Sequence, residues 1–309
     1  MSPVIGLHHI TAISSSAQGN VDFFGKRLGL RLVKKTVNFD DPGTYHLYFA
    51  DRVGTPGSVL TFFPWAGVPK GIAGTGETGL TQFAVAPGTL DFWRERLQAA
   101  GVAPVVDETV FGASRLVSAD PDGFAFALVE APGDDRPGNS IDGIEQAASI
   151  KGFRGVTLTL ADGAATRDLL TGLMGYREEA SEGALTRLVS PTAEAGVVDI
   201  LEAPERRHAT QGAGRIHHIA FRVPDRAAQA AIRETLTKEG FQVTPQIDRS
   251  YFYAIYFRSP GGVLFEIATD EPGFATDEDV DHLGEALRLP RQHEHLRSVL
   301  EKKLPALAV

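Results

Sequence analysis

The sequence predicts an α+β protein of four βαβββ modules paired into two open barrels, and three observations carry that prediction. An amphipathic segment ends in Gly followed by an apolar residue four times, at Gly29-Leu30, Gly101-Val102, Gly175-Tyr176 and Gly240-Phe241. The glycines stand 72, 74 and 65 positions apart, a spacing of module size. A short alternating strand precedes each segment and β-rich phrases follow it. One such unit covers only one face of its small sheet, so it must pair with another.

In the first module, residues 9–13 read as the strand, Val21, Phe24 and Leu28 as the buried helix stripe, and residues 58–63 as the closing strand. In the second the same parts are residues 82–86, the stripe Leu90, Trp93 and Leu97, and residues 124–132. The third has residues 156–160, Leu169 with Leu173, and residues 197–204. The fourth has residues 218–223, then Asp225 as N-cap ahead of Ala228, Ile232 and Leu236, then residues 263–267. Each terminal glycine suits the C′ position, where the backbone turns left-handed. The modules are expected over residues 1–70, 71–140, 141–210 and 211–270, followed by a helical tail over 271–309. In the tail, Leu296, Leu300 and Leu304 share a helix face. The tail either closes over a site or mediates self-association into a homo-oligomer.

Composition narrows the function. The 309 residues are 43% hydrophobic, enough for real cores. A net charge of −9 gives no basic footprint for nucleic acid or an anionic membrane surface. There is no Cys, which excludes disulfides, thiolate metal sites and a cysteine nucleophile, so any metal is held by nitrogen and oxygen. Residues 1–6 lack a basic, apolar leader pattern, and no apolar run approaches a membrane span, so the expected address is the cytoplasm. Residues 71–76 are Gly-rich without a following Lys-Ser/Thr pair and read as a mobile connection between modules one and two.

The chemistry lies in two His doublets, His8-His9-Ile10 and His217-His218-Ile219, and in Glu266 within the apolar run Val263-Leu264-Phe265-Glu266-Ile267. Overlaying the modules sets His218 against His9, Gln82 and Gly155, and Glu266 against Phe62, Ala127 and Ile200. Only modules one and four carry ligand types, so a metal site is expected where those two meet. Strand alternation chooses within each doublet: Ile219, Phe221 and Val223 suit the helix side, which leaves His218 and Ala220 on the other face. His9 and Thr11 match them in the first strand. His9, His218 and Glu266 thus form a candidate two-His-one-carboxylate triad, a set suited to Fe(II) and O2. A carboxylate among such neighbours needs a cation, and Arg249 or Arg222 is the alternative to a metal.

Nearly the whole chain resembles the vicinal oxygen chelate superfamily and, within it, the chlorohydroquinone and hydroquinone ring-cleaving dioxygenases. The resemblance rests on Leu7-His8-His9-Ile10-Thr11, Asp22-Phe23-Phe24, Arg31-Leu32-Val33-Lys34-Lys35-Thr36, Tyr45-His46-Leu47-Tyr48-Phe49-Ala50-Asp51, His217-His218 and Pro260-Gly261-Gly262-Val263-Leu264-Phe265-Glu266. By matched position it implies Fe(II), with Mn(II) the alternative, on His9, His218 and Glu266. It also implies supporting roles for His8, His217, Thr11, Arg249 and Tyr256. His217 or His8 would serve as acid or base, and Tyr256 with Arg249 would hold the substrate oxygen. The implied reaction is extradiol-type opening of a small aromatic diol with O2, with a p-hydroquinone as substrate and catechols as competitors. Residues 38–45 resemble the broader hydroquinone branch more than the enzymes of chlorinated substrates.

Two rival functions are defined by single features. A glyoxalase-type isomerase or lyase commonly carries a second acidic ligand, where this chain has Phe62. A metal-free aromatic-binding resistance protein would leave Glu266 beside two His with nothing to coordinate. Elsewhere, His46 and His208 read as structural residues, and His293-Glu294-His295 as part of a solvated helix. The acidic residues 277–281 read as the start of a helix.

Overall fold

The computed structural model describes residues 4–141, 143–190 and 194–309. The start of the N-terminal segment, residues 1–3, lies outside them. Four βαβββ units follow one another. The first comprises β1 (Leu7–Ser14), α1 (Ala17–Asn20) running on as a π-helical segment (Val21–Arg27), β2 (Arg31–Val37), β3 (Tyr45–Ala50) and β4 (Val59–Pro64). The second comprises β5 (Glu77–Val85), α2 (Leu90–Ala99), β6 (Val106–Val110), β7 (Ala113–Ala119) and β8 (Ala125–Glu130). The third comprises β9 (Gly152–Leu160), α3 (Ala164–Gly172), β10 (Arg177–Glu182), β11 (Leu185–Val189) and β12 (Val197–Glu202). The fourth comprises β13 (Ile216–Val223), α4 (Arg226–Lys238), β14 (Ile247–Asp248), β15 (Phe252–Arg258) and β16 (Leu264–Pro272).

The helix-ending glycines do what their spacing requires. Gly29, Gly101, Gly175 and Gly240 have φ of +77°, +71°, +75° and +89°, a region costly for any residue with a Cβ. The apolar residue after each, Leu30, Val102, Tyr176 or Phe241, donates its N–H back into the helix end, to the carbonyl of Phe24, Leu97, Leu170 or Leu236. In the first module the last helical turns are wider than α, with the Leu28 N–H reaching the Phe23 carbonyl five residues back. Asp225 caps α4 through the Ala228 N–H.

Within each unit the first and last strands run parallel, β1 beside β4 and β13 beside β16. Units one and four then join through antiparallel β1 and β13, and units two and three through antiparallel β5 and β9. Two eight-stranded sheets result, β14-β15-β16-β13-β1-β4-β3-β2 and β10-β11-β12-β9-β5-β8-β7-β6, each curled into an open half-barrel. Alternation sorts the side chains of β13 as expected: Ile219, Phe221 and Val223 enter the main core, while Ala220 belongs to a smaller cluster with Tyr48, Tyr251, Phe252 and Phe274. No helix among the described residues is long and apolar enough to cross a membrane.

Three segments differ from expectation. Residues 71–76 are pinned rather than loose: Ile72 bridges Thr210, and Thr75 bridges His208. The tail forms a 3-10 turn (Arg291–Leu296) before α5 (Arg297–Lys303), and His293 bonds the Phe39 carbonyl at 2.8 Å instead of facing water. Leu300 and Leu304 are buried in the core as their spacing implies. The acidic run starts no α-helix. Asp277 and Glu278 accept from the buried Lys34 ammonium at 2.6 and 2.5 Å, and these partners spare Lys34 the cost of an isolated buried charge.

Candidate metal centre

Register brings the three candidate ligands together. Across the β1–β13 junction His9 pairs with Ala220 and Thr11 with His218, and along β13–β16 Ala220 pairs with Glu266. Side chains of alternate residues share a face, so His9, His218 and Glu266 rise from three adjacent strands into one concavity. Their nearest ligand atoms all lie within 4.8 Å of one another, and all three residues are buried. Nε2 of His218 stands 3.0 Å from Glu266 Oε2, and Nε2 of His9 stands 3.4 Å away.

Neither oxygen of the fully buried Glu266 accepts a hydrogen bond. A bare carboxylate in such a place costs several kcal/mol. The arginine alternatives are engaged elsewhere: Arg222 pairs with Asp270, and Arg249 approaches Tyr256 and Asp40. The donor set, two imidazole nitrogens and a carboxylate aimed at shared space, therefore fits a divalent cation. Burial raises the Glu266 pKa, yet the closeness of the His9 and His218 imidazoles outweighs it and holds the metal-free carboxyl well below its ordinary range.

The first histidine of each doublet braces the second. His8 and His9 meet Nδ1 to Nδ1 at 2.9 Å, and His217 and His218 at 2.8 Å. A ligating Nε2 must present its lone pair, so the proton of His9 or His218 sits on Nδ1 and is donated to the neighbour. Desolvation, then the adjacent histidine, lowers both bracing imidazoles, His8 well below its usual value and His217 to about 3. Both are neutral near pH 7, as an acceptor must be.

Above the triad opens a cavity of about 390 Å³ with Phe39, Phe63, Trp65, Phe252 and Leu264 in its wall. Arg249 and Tyr256 line it together, Arg249 Nε lying 3.3 Å from the Tyr256 hydroxyl. Burial, then the negative Glu266, pushes the Tyr256 pKa well up, so its hydroxyl remains a donor. All the candidate residues fall within this region: His9, His217, His218, Arg249 and Tyr256 on the cavity wall, and His8, Thr11 and Glu266 packed behind it.

The register also corrects one counterpart and adds residues. Glu266 pairs with Ala220, two residues past His218, and the matching partner of Thr11 is Thr61, not Phe62. Phe62 turns to the core against Phe24. Thr61 joins a buried relay: its hydroxyl donates to Thr11 Oγ1 at 2.8 Å, His46 Nε2 lies 2.8 Å from Thr61 Oγ1, and the Tyr48 hydroxyl lies 2.8 Å from His46 Nδ1. His46 thus lines the cavity rather than serving the sheet alone.

The same correction exposes a second cup in units two and three. Asp199 pairs with Thr157 and Arg187 as Glu266 pairs with Ala220 and Tyr256. The Arg187 guanidinium donates to both Asp199 oxygens at 2.7 and 2.8 Å, and Gln82 donates at 2.8 Å. A guanidinium here neutralises the acid that a metal would neutralise in the first cup.

Comparison with known proteins agrees with this architecture. The Glyoxalase/Bleomycin resistance protein/Dioxygenase superfamily profile matches residues 6–128 and 153–267. "Putative ring-cleaving dioxygenase MhqE" of Bacillus subtilis is 43% identical over 98% of this chain and 99% of its own. "Chlorohydroquinone/hydroquinone 1,2-dioxygenase" of Sphingobium indicum is 34% identical over 96% of this chain and 95% of its own. A crystal structure of a "putative dioxygenase" from Bacillus subtilis superposes with a TM-score of 0.97 at 42% identity, covering 100% of this chain and 99% of that one. Glyoxalase I from Zea mays shares the fold at a TM-score of 0.64 and 15% identity, over 86% of this chain and 92% of that one. The chain belongs to the glyoxalase/bleomycin resistance/dioxygenase superfamily and, within it, to the family of those ring-cleaving dioxygenases.

Proposed function

We propose that this protein is an extradiol-type dioxygenase that opens the ring of a p-hydroquinone with O2, using Fe(II) on His9, His218 and Glu266. Mn(II) suits the same nitrogen and oxygen donors. The observation that carries the reading is Glu266, buried with both oxygens unbonded between two braced imidazoles, under an aromatic cavity. When bound, the metal supplies a Lewis acid for a phenol oxygen and a redox partner for O2. Both oxygen atoms end in the ring-opened product.

The residues divide the remaining work. Phe63, Trp65 and Phe252 offer a flat, apolar slot that holds an aromatic ring and excludes water. Tyr256 and Arg249 present donors where negative charge develops on the substrate oxygen. Neutral His8 and His217 fix the rings of His9 and His218 through Nδ1. His217 also reaches the cavity, where its Nε2–H can donate a hydrogen bond to the substrate.

An isomerase of glyoxalase type is disfavoured because a neutral Thr61 occupies the position opposite Glu266. The test is anaerobic reconstitution with Fe(II), then O2 uptake and an absorbance scan with hydroquinone and catechol. Stoichiometric uptake with a new ring-opened chromophore is expected with hydroquinone. Metal binding without uptake on either diol would overturn the reading.

A further inference from the structure

The cup has two related halves: the module-four half holds His218 and Glu266, whereas the module-one half holds His9 alone. Tyr48 pairs with Thr61 on the module-one side as Tyr256 pairs with Glu266 on the module-four side. Where the module-four half carries a carboxylate, the module-one half carries the neutral relay Tyr48, His46, Thr61 and Thr11. All four residues are buried.

Hydrogen-bond accounting along the relay leaves one opening. Both ring nitrogens of His46 are engaged, one with Tyr48 and one with Thr61. Thr61 is shared between His46 and Thr11. Among the described residues Tyr48 meets His46 alone at its hydroxyl, so whichever way the protons point, its oxygen keeps one unused hydrogen-bonding valence. Tyr48 and His46 both line the cavity. The Tyr48 ring is wedged against His46 at 4.1 Å and Phe274 at 5.3 Å between centroids, which fixes where the hydroxyl points.

We propose that Tyr48, held in place by His46, binds the hydroxyl on the far side of the substrate ring and so selects para-diols over ortho-diols. This rests on the dioxygenase reading above and deepens it. A ring with one oxygen at the triad can turn its opposite edge to Tyr48 and His46, which line the same cavity as His9 and His218. A para-hydroxyl, both donor and acceptor, satisfies Tyr48 in either relay polarity. An ortho-diol carries both oxygens on one edge and leaves Tyr48 unpaired, as does a monophenol. An unpaired buried hydroxyl weakens binding by about tenfold.

The test is calorimetric binding to the Fe(II)-loaded protein under argon, with hydroquinone, catechol and phenol as ligands. Hydroquinone is expected to bind about tenfold tighter than phenol. Tyr48→Phe is expected to bring hydroquinone to the phenol level while leaving the phenol and catechol constants unchanged. Equal weakening of all three ligands, or no change for hydroquinone, overturns the proposal. The wild-type series needs no variant: equal affinity for hydroquinone and phenol overturns the role of Tyr48 while the dioxygenase reading stands. Failure of the wild type to bind any of the three overturns both.

Discussion

Replacing Glu266 by Gln keeps the shape of the side chain and removes its charge, so it separates a metal ligand from a merely buried acid. In the wild type, a divalent ion at a hundred times its dissociation constant stabilises the fold by about 2.7 kcal/mol. For a chain of this length each kcal/mol moves Tm by about 2 °C, giving a rise of about 5 °C. Loss of the only anionic ligand among His9, His218 and Glu266 is expected to weaken the site by at least about a hundredfold; the same metal concentration then contributes about 0.4 kcal/mol, under about 1 °C. Without metal, His9 and His218 still hold the Glu266 carboxyl in its charged form, so Glu266→Gln is expected to melt lower than the wild type in EDTA as well. Thermal melts with EDTA and with Mn(II), which is stable in air, read both effects. A Glu266→Gln protein with the full metal-induced rise would refute the reasoning.

Other expectations follow from pairs outside the triad. Arg187→Ala leaves Asp199 buried and uncompensated and is expected to cost about 3 to 5 kcal/mol in urea unfolding, with or without metal; adding Asp199→Ala recovers much of the loss. Lys34→Met removes the ammonium that ties Asp277 and Glu278 to β2, so limited proteolysis is expected to cut after residue 272 faster than in the wild type. Asp120 is raised from 3.8 to about 6, chiefly by burial. The folded state then binds more protons than the unfolded between those values, so stability falls as pH rises through the window, by about 3 kcal/mol in total. Asp120→Asn is expected to match the wild type near pH 4 and exceed it above pH 6 in Tm; a constant difference at all pH would refute this.

Much of this was legible because repeats and helix ends are local signals. Gly29, Gly101, Gly175 and Gly240 announce themselves by position, and the His doublets identify the joined modules by recurring at equivalent strands. What escaped the sequence was register. Matching Glu266 to Phe62 is off by one, and in a strand a shift of one residue exchanges the two faces. That single slip hid Thr61 in the cup and Asp199 as the acid of the second cup. With Thr61 out of view, His46 had no visible partner and read as a structural residue. The ion pairs of Lys34 escaped for another reason: Asp277 and Glu278 lie more than 240 positions away in the chain. Nothing in a local charge pattern points to a partner at that distance.

The nesting of the units, first with last around second with third, also sets an order of synthesis. Units two and three can close their sheet once β12 is made at Glu202, whereas β1 has no partner at its inner edge until β13 emerges, beginning at Ile216. During that interval the first unit exposes a strand edge of the kind that invites pairing with other chains. His9 waits alone in it, too few ligands to capture an ion. The inner pair has all eight strands of its own sheet, and Arg187 to pair with Asp199, before the outer sheet can be completed. The three candidate ligands can then meet one ion only after Glu266 has been translated, when the cup is whole.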